Sequence, residues 1–335
     1  MSQNNINLDT NILEIKNLKI YYPTKTKNLF LKAVDDISFN LKKGETLGIV
    51  GESGCGKSTL GRAIMQLIKS TSGEILFNQQ NLNNLSKKEL REKRQDLQII
   101  FQDPLASLDP RMTVGQIIAE PLKNFAKLNL SKDDINTRVK QIMADVGLIP
   151  EHINRYPHEF SGGQCQRIGI ARALILQPKI LVCDEPVSAL DVSIQGQIIN
   201  LLKSLQNKYG LSLIFIAHDL SIVRHISDRI IVMYLGKIIE LSEAENIYEH
   251  PLHPYSKALL SAVPIPDPKL ERNKKHEPLR GEVPSPINPP SGCHFRTRCP
   301  KAFEKCSQIE PLLKAPDNLV LERKHVVACH LYTLD

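Results

Sequence analysis

The stretch GESGCGKST, residues 51–59, decides the fold class of this 335-residue chain. It fits the pattern G-x-x-x-x-G-K-S/T with Gly51, Gly56, Lys57 and Ser58 in the fixed places. The apolar run ETLGIV leads into it and the helical pattern KSTLGRAIMQLI leads out of it, which is the context expected of a phosphate-binding loop. A glycine-rich turn with a chance lysine is the alternative, and it does not explain the strand and the helix on either side.

The residue types in this loop suit a nucleotide with Mg²⁺. Glycines let backbone N–H groups face phosphate oxygens, and the N-terminus of the following helix adds partial positive charge. Lys57 supplies a cation for the outer phosphates, and the Ser58 hydroxyl is a hard oxygen ligand for Mg²⁺. The predicted nucleotide contacts in this loop are Gly51, Ser53, Gly54, Gly56, Lys57, Ser58 and Thr59.

Around the loop, predicted strands alternate with predicted helices. KILVCDE, SIQGQIINLLKSLQNKYG and LSLIFIAH follow one another as strand, helix and strand, a pattern typical of βαβ units in a mostly parallel sheet. Amphipathic helical patterns interrupt this order between about residues 104 and 165, among them SKDDINTRVKQIMADVGL with Ser131 as the expected N-cap. The sequence therefore predicts an α/β core with a helical insert.

Composition limits the function classes. With 41% hydrophobic and 24% charged residues, the chain resembles an ordinary globular protein with at least one large core. The net charge of +7 is spread without a long basic run, so nucleic acid is not an expected partner. The start lacks a signal-peptide pattern, and apolar runs such as LSLIFIA are shorter than the ~20 residues of a membrane helix. We expect a cytoplasmic chain whose seven cysteines form no disulfide framework.

The segment KILVCDEP ends an apolar strand in two carboxylates, Asp184 and Glu185. A carboxylate at a strand end is often only a helix cap. Together with the phosphate loop, however, Asp184 is predicted to lie near Mg²⁺, and Glu185 is the candidate general base for the attacking water.

Five motifs resemble those of ATP-binding-cassette ATPases in order and rough spacing: GESGCGKST, FSGGQ, LVCDEP, SALD and IAHD. The resemblance covers almost the whole chain. It implies an α/β P-loop NTPase cassette with an antiparallel β subdomain, a mostly parallel core sheet and an α-helical insert. The expected division is an ATPase domain at 1–262 with its helical part at about 104–165, a proline-rich linker at 263–291 and a cysteine-containing extension at 292–335.

The family resemblance implies a specific role for the second glycine motif, FSGGQ. In that family the nucleotide lies between two ATPase subunits arranged head to tail. Ser161, Gly162 and Gly163 would then contact the γ-phosphate held by the partner, with Gln164 supporting the loop. Taken alone, FSGGQ reads equally well as a plain N-cap turn.

The resemblance also implies roles for residues in the other motifs. Gln102 resembles the residue that senses Mg²⁺ and ATP, His218 resembles the switch histidine at the γ-phosphate, and Asp191 belongs to the loop that communicates across the dimer. Taken alone, the glutamine and the histidine would be ordinary strand-end side chains. Tyr22 matches the aromatic residue that stacks on adenine, with Tyr21 as a near competitor.

Longer neighbourhoods, such as EFSGGQCQRIGIARALI and GEVPSPINPPSGCHFRTRCP, resemble the oligopeptide/dipeptide/nickel importer subfamily, and most strongly its oligopeptide permeases. The implied partners are a second, different ATPase subunit, two transmembrane permease subunits and an extracytoplasmic peptide-binding protein. The chain would lie peripherally on the cytoplasmic face of the membrane. Dipeptide or nickel import and a soluble cassette ATPase without a transporter are the alternatives. A non-hydrolysing regulatory subunit is disfavoured by the presence of Glu185 and His218.

Four cysteines cluster near the C-terminus in the pattern C-x5-C-x6-C-x22-C: Cys293, Cys299, Cys306 and Cys329. Clustered thiols in a reducing compartment suggest a metal. Structural zinc sites usually contain close C-x2-4-C pairs, which are missing here, whereas iron–sulfur spacing varies more. The resemblance implies a 4Fe–4S cluster on these four residues, with zinc and reduced thiols as the alternatives.

Overall fold

Residues 10–125, 130–263, 272, 279, 281–317 and 325–332 are described in the structure, a computed structural model. The chain divides into two units that alternate along the sequence. Among the described residues, the first unit comprises 10, 42–45 and 84–216, and the second comprises 11–41, 46–83 and those from 217 onward. Much of the predicted linker at 263–291 lies outside the described residues.

In the described part of the chain, the strands are β1 (Asn11–Pro23), β2 (Phe30–Lys42), β3 (Thr46–Val50), β4 (Ser72–Phe77), β5 (Gln80–Asn81), β6 (Leu97–Ile100), β7 (Ile180–Asp184), β8 (Ser212–Ala217), β9 (Arg229–Tyr234), β10 (Lys237–Glu243) and β11 (Val326–Val327). The helices are α1 (Lys57–Ile64), α2 (Lys87–Lys93), α3 (Val114–Asn124), α4 (Lys132–Asp145), α5 (Gly162–Leu174), α6 (Val192–Tyr209), α7 (Leu220–Ile226), α8 (Ala244–Glu249), α9 (Pro254–Ser261) and α10 (Lys305–Gln308). No helix among the described residues has the length and apolar character needed to cross a bilayer.

The first unit contains parallel strands and the helical insert. Strands β6, β7 and β8 pair in parallel, with Ile180 of β7 opposite both Leu97 and Ser212. All five residues of β7 are buried, as expected for a strand covered on both faces of a parallel sheet. Helices α3 and α4 lie within the predicted insert at about 104–165, and α5 begins at its end and continues to Leu174. The predicted N-cap at Ser131 is confirmed, because its hydroxyl accepts a hydrogen bond from Asp134 N–H in a capping box.

The second unit contains an antiparallel sheet in the order β2-β1-β4-β5 and a group of strands around β9. Strand β3 runs parallel to β9, and β9 turns back into β10 through Leu235 and Gly236, both with positive φ. This turn makes β9 and β10 an antiparallel hairpin. Strand β3 leads directly to the phosphate loop, so the loop is fixed at the end of a buried strand.

The C-terminal extension is tied to the same hairpin. Strand β11 pairs with β10, and the buried carboxylate of Glu240 in β10 receives three hydrogen bonds, from Leu252 N–H (2.7 Å), His253 N–H (2.9 Å) and His325 Nε2 (2.8 Å). A buried carboxylate is tolerated when its oxygens are paired in this way. Leu252 also packs in an apolar cluster with Val327 and Cys329. The extension is therefore part of the second unit's core.

Candidate nucleotide site

The phosphate loop is built so that two of its glycines are required by packing within the second unit. A Cβ at Gly51 would lie 2.3 Å from the carbonyl oxygen of Met233, and one at Gly56 would lie 2.0 Å from that of Ala33. Gly56 also has φ +105°, a conformation that favours glycine. Ser53 and Gly54 are exposed at the loop's tip. The backbone thus reaches a phosphate-cradling shape that other residues cannot adopt.

Lys57 is buried beneath this loop, with 4% of its surface exposed. Its Nζ donates to the carbonyl oxygens of Gly51 (2.7 Å) and Glu52 (3.1 Å). The ammonium group is therefore positioned inside the loop, at the start of α1, where it can exchange carbonyl oxygens for phosphate oxygens. Ser58 and Thr59 are half-buried in the first turn of the helix.

Glu52 takes part in contacts that sequence reasoning missed. Its N–H donates to the Tyr255 hydroxyl oxygen (2.8 Å), and its carboxylate accepts two hydrogen bonds from the Arg298 guanidinium, at 2.6 and 3.1 Å. Glu52 falls on a variable position of the loop pattern, and Arg298 lies in the cysteine-containing extension. Neither residue is a fixed position of the loop pattern, and no local signal pairs two residues that are 246 positions apart.

The first unit brings together two of the predicted catalytic residues. Gln102 Nε2 donates to Glu185 Oε2 at 2.8 Å, and Glu185 N–H donates to the Ile216 carbonyl (3.0 Å). Glu185 has φ +48°, a left-handed conformation that costs free energy in a non-glycine residue. Asp184, just before it at the end of β7, is 1% exposed. The backbone turn thus directs two adjacent carboxylates into different environments, one buried and one half-exposed.

The second glycine motif forms the exposed N-terminus of α5, a 13-residue helix. Ser161 Oγ accepts from Gln164 N–H (3.3 Å), and Gln164 Oε1 accepts from Ser161 N–H (2.9 Å). This reciprocal pair is a capping box. Ser161, Gly162 and Gln164 are exposed and Gly163 is half-buried. The plain N-cap interpretation is therefore correct for the local structure, and it leaves free N–H groups of the first turn available to an anion.

The remaining predicted positions differ in exposure. Tyr22 is 38% exposed, whereas the Tyr21 hydroxyl donates to the Asp35 carboxylate, and burial with this contact raises the pKa of Tyr21. Tyr22 is thus the tyrosine with more accessible surface for stacking. Asp191, the N-cap of α6, and His218, which follows β8, are both exposed.

The four cysteines of the extension lie in one region. Burial raises the pKa of Cys293 to about 11 and that of Cys329 to about 12, and the charges of the other three cysteines interact with Cys329. The backbone N–H of Cys293 donates to the Cys306 carbonyl at 2.8 Å. In the described residues, no three His, Cys, Asp or Glu side chains are arranged to hold a single metal ion. The described residues therefore give no support for a metal group at these cysteines, and the 4Fe–4S cluster stays a prediction.

Two family models match the chain: ABC transporter over residues 34–188, and oligopeptide/dipeptide transporter, C-terminal region, over residues 239–306. The oligopeptide transport ATP-binding protein OppF of Salmonella typhimurium is 59% identical over 325 residues, which is 95% of each chain. This chain is an ATP-binding-cassette ATPase with a C-terminal region of the oligopeptide/dipeptide transporter type. OppF of Haemophilus influenzae is also 59% identical, over 95% of this chain and 96% of the relative.

A solved structure of the ATP-binding cassette MJ0796, a dimer in a post-hydrolysis state bound to ADP and Pi, has a TM-score of 0.63 with 30% identity. It covers 69% of this chain and 98% of the solved chain. The α/β P-loop NTPase fold expected from the motifs is confirmed. Membership in the family implies ATP with Mg²⁺ as the nucleotide, and Mg²⁺ commonly binds through phosphate oxygens, waters and few protein ligands.

Proposed function

We propose that this chain hydrolyses ATP to energise the import of oligopeptides through a membrane permease. The observation that carries the proposal is the 59% identity to an oligopeptide transport ATP-binding protein over 95% of both chains, a span that includes the extension. The matching C-terminal model is described for oligopeptide and dipeptide transporters alike, so dipeptide import is the second candidate. Nickel import stays an alternative, because other subunits select the substrate.

Within the site, each group has a distinct task. Lys57 and the loop N–H groups bind the outer phosphates, and the Ser58 hydroxyl, Gln102 and Asp184 hold Mg²⁺. Glu185 accepts the proton of the attacking water, and Gln102 positions its carboxylate through the 2.8 Å hydrogen bond. Catalysis of phosphoryl transfer depends mainly on positioning and on stabilising negative charge on the γ-phosphate.

His218 completes the catalytic set as the switch histidine, with its imidazole donating to the γ-phosphate. Tyr22 stacks on adenine, and its exposed ring supports this assignment over Tyr21. Base stacking on an aromatic side chain contributes roughly 1–3 kcal/mol. Exchanging Tyr22 and Tyr21 separately for alanine and measuring ATP affinity distinguishes the two tyrosines.

The motif at Ser161, Gly162 and Gly163 binds the γ-phosphate held by a second ATPase subunit, and Asp191 lies in the loop that links the two sites. Two observations support this assignment: the N-terminus of α5 is exposed, and the cassette MJ0796 was solved as a dimer. A helix N-terminus stabilises an anion through unpaired N–H groups and the helix dipole. The second subunit is a different ATPase chain, as in the importer subfamily.

Two transmembrane permease subunits and an extracytoplasmic peptide-binding protein complete the assembly, with this chain peripheral on the cytoplasmic face. Phe101 and Leu105, which flank Gln102, are 36% and 57% exposed. Apolar side chains exposed beside a catalytic glutamine supply a contact through which permease movement reaches the site.

Cys293, Cys299, Cys306 and Cys329 hold a 4Fe–4S cluster with a structural or redox-sensing role. The hydrogen bond from the Cys293 N–H to the Cys306 carbonyl (2.8 Å) supports the proximity of two of these residues. If a cluster binds, these four thiolates would be its ligands, as in other clusters of this type. Anaerobic purification should yield about four irons and four sulfides per chain. Stoichiometric zinc or metal-free thiols would contradict the cluster.

The transport proposal is tested in proteoliposomes that contain the assembled transporter. ATP-dependent uptake of a labelled pentapeptide, a dipeptide and Ni²⁺ is compared between the wild type and Glu185→Gln. Uptake of the pentapeptide, lost in Glu185→Gln and retained in the exposed matched control Glu249→Gln, is the expected result. If only Ni²⁺ or only the dipeptide were taken up, the oligopeptide proposal would be wrong and that compound would be the substrate.

A further inference from the structure

The cysteine-containing extension contacts the phosphate loop directly. The Arg298 guanidinium donates to both carboxylate oxygens of Glu52, at 2.6 and 3.1 Å, across 246 residues of sequence. A bidentate arginine–carboxylate pair fixes the relative orientation of the two side chains as well as their distance, because both groups are planar. Glu52 directly follows Gly51, the first fixed glycine of the loop.

Arg298 is held in place by its surroundings. Only 5% of its surface is exposed, and its guanidinium lies 5.9 Å from the ring centre of Tyr234. The ring of Phe295, three residues earlier, packs against Tyr234 (5.2 Å) and Tyr255 (5.4 Å), and these two tyrosines contact each other at 4.9 Å. A buried arginine needs a partner for its charge, and Glu52 supplies it.

Glu52 is consequently fixed at each of its polar groups. Its carboxylate is held by Arg298, its N–H donates to the Tyr255 hydroxyl, and its carbonyl accepts from Lys57 Nζ. The loop must hold its backbone N–H groups in one geometry before the nucleotide arrives, because ordering a mobile loop on binding would reduce affinity. The pair between Glu52 and Arg298 removes that mobility at the first variable position.

We propose that Arg298 is a positioning residue of the phosphate loop, so that the cysteine-containing extension contributes to ATP affinity through Glu52. In this proposal Arg298 acts by holding Glu52, the residue next to Gly51. The proposal needs only nucleotide binding by the loop, which the family implies, and it is independent of which substrate is transported.

The test measures Mg-ATP affinity and steady-state hydrolysis of the full-length chain in its transporter. Arg298→Gln is expected to raise the Kd and the KM for Mg-ATP about tenfold, within the range of coupling between contacting residues, while kcat at saturation stays within about twofold. The Kd and KM of Arg298→Lys should lie between those of the wild type and those of Arg298→Gln, because an ammonium group keeps the charge but cannot make the bidentate contact. Arg296→Gln is the matched control: Arg296 lies in the same segment but donates to the Ser291 carbonyl (2.9 Å).

A second variant keeps the proposal testable if Arg298→Gln fails to fold. Glu52→Gln alters the other end of the pair without changing the extension, and it should raise the KM similarly. The charge exchange Glu52→Arg with Arg298→Glu should recover part of the lost affinity, since the two effects belong to one interaction.

Unchanged ATP affinity in folded Glu52→Gln and Arg298→Gln would overturn the proposal. An equal rise in KM for Arg296→Gln would also overturn it, because the cause would then be general loosening of the extension. A fall in kcat with constant KM would contradict a positioning role in binding. Each result can be read from ATP binding even if the chain proves to import something other than oligopeptides.

Discussion

One glycine in each of the two glycine motifs, Gly56 of GESGCGKST and Gly162 of FSGGQ, differs from the other in the space available for a side chain. A Cβ at Gly56 would overlap the carbonyl oxygen of Ala33 at 2.0 Å, whereas a Cβ at Gly162 would lie 3.7 Å from Leu190 Cδ2, an ordinary contact. The chain's own packing therefore requires glycine at 56 and does not require it at 162. Because the packing of the chain does not require glycine at 162, the absence of a side chain there leaves room for a ligand or another chain to approach the backbone closely.

Exposure follows the same division. Lys57 is buried within the first motif and bonded to its carbonyl groups, while Ser161 and Gln164 of the second motif bond only locally, in a capping box, and are exposed. The comparison teaches that a loop serving its own chain's nucleotide is organised by its own core. The role proposed for the second motif, at a nucleotide held by another chain, would require a rigid helix end and an open surface.

The largest expected effect concerns the site that holds this chain's own nucleotide. Glu185→Gln removes the proton acceptor and should lower hydrolysis at that site by about 10²- to 10⁴-fold. ATP binding should persist, because the phosphate loop is unchanged. Hydrolysis is measured in the ATPase pair with the partner's own site inactivated, and affinity by titration with a fluorescent ATP analogue. Hydrolysis near the wild-type rate would remove Glu185 from its assigned role.

The next effect tests the assignment of FSGGQ to the partner's nucleotide. Ser161→Arg places a bulky side chain at the exposed end of α5 and should lower hydrolysis at the partner's site by about 10²- to 10³-fold, the cost of losing an anion-stabilising donor. ATP bound to this chain should be unaffected. Ser131→Arg is the control, since it removes an equivalent capping box from α4. Lost ATP binding by this chain in Ser161→Arg would show that the motif acts on its own nucleotide.

The glycine comparison predicts a difference in stability. Gly56→Ala should lower the free energy of unfolding by about 2–4 kcal/mol, from strain at positive φ and a backbone overlap. Gly162→Ala should change it by less than about 1 kcal/mol. Chemical unfolding of both variants checks this, together with hydrolysis by the pair. Equal destabilisation would remove the distinction between the two motifs.

The smallest effect concerns Cys55, inside the first motif. Burial raises the pKa of this thiol, so its thiolate fraction at neutral pH lies below that of a free thiol. Alkylation of Cys55 should therefore be several-fold slower than that of glutathione at pH 7.5, and it should accelerate as the pH rises. Mass spectrometry of the peptide containing Cys55 gives the rate. Rapid labelling would show that the loop opens readily.

Several structural features of this protein could be predicted from short stretches of sequence, because they depend on neighbouring residues. The strand and helix on either side of the phosphate loop, the alternation that predicts βαβ units and the N-cap at Ser131 all follow from neighbouring residue types, and the structure confirms them. The family motifs added roles for Gln102, Glu185 and Ser161. Among these residues, the structure shows a hydrogen bond between Gln102 and Glu185 that the motifs did not predict, and a helix cap at Ser161.

The pairings between distant residues were decided by the tertiary structure alone. Glu52 contacts Arg298 across 246 residues, and Glu240 contacts His325 across 85, and no motif predicts either pairing. The greater exposure of Tyr22 than of Tyr21 likewise depends on Asp35, a residue from another strand. Residue type and spacing specify the backbone of a loop or a helix end. Which side chain is brought beside it depends on how separate strands pack, and a linear pattern does not contain that information.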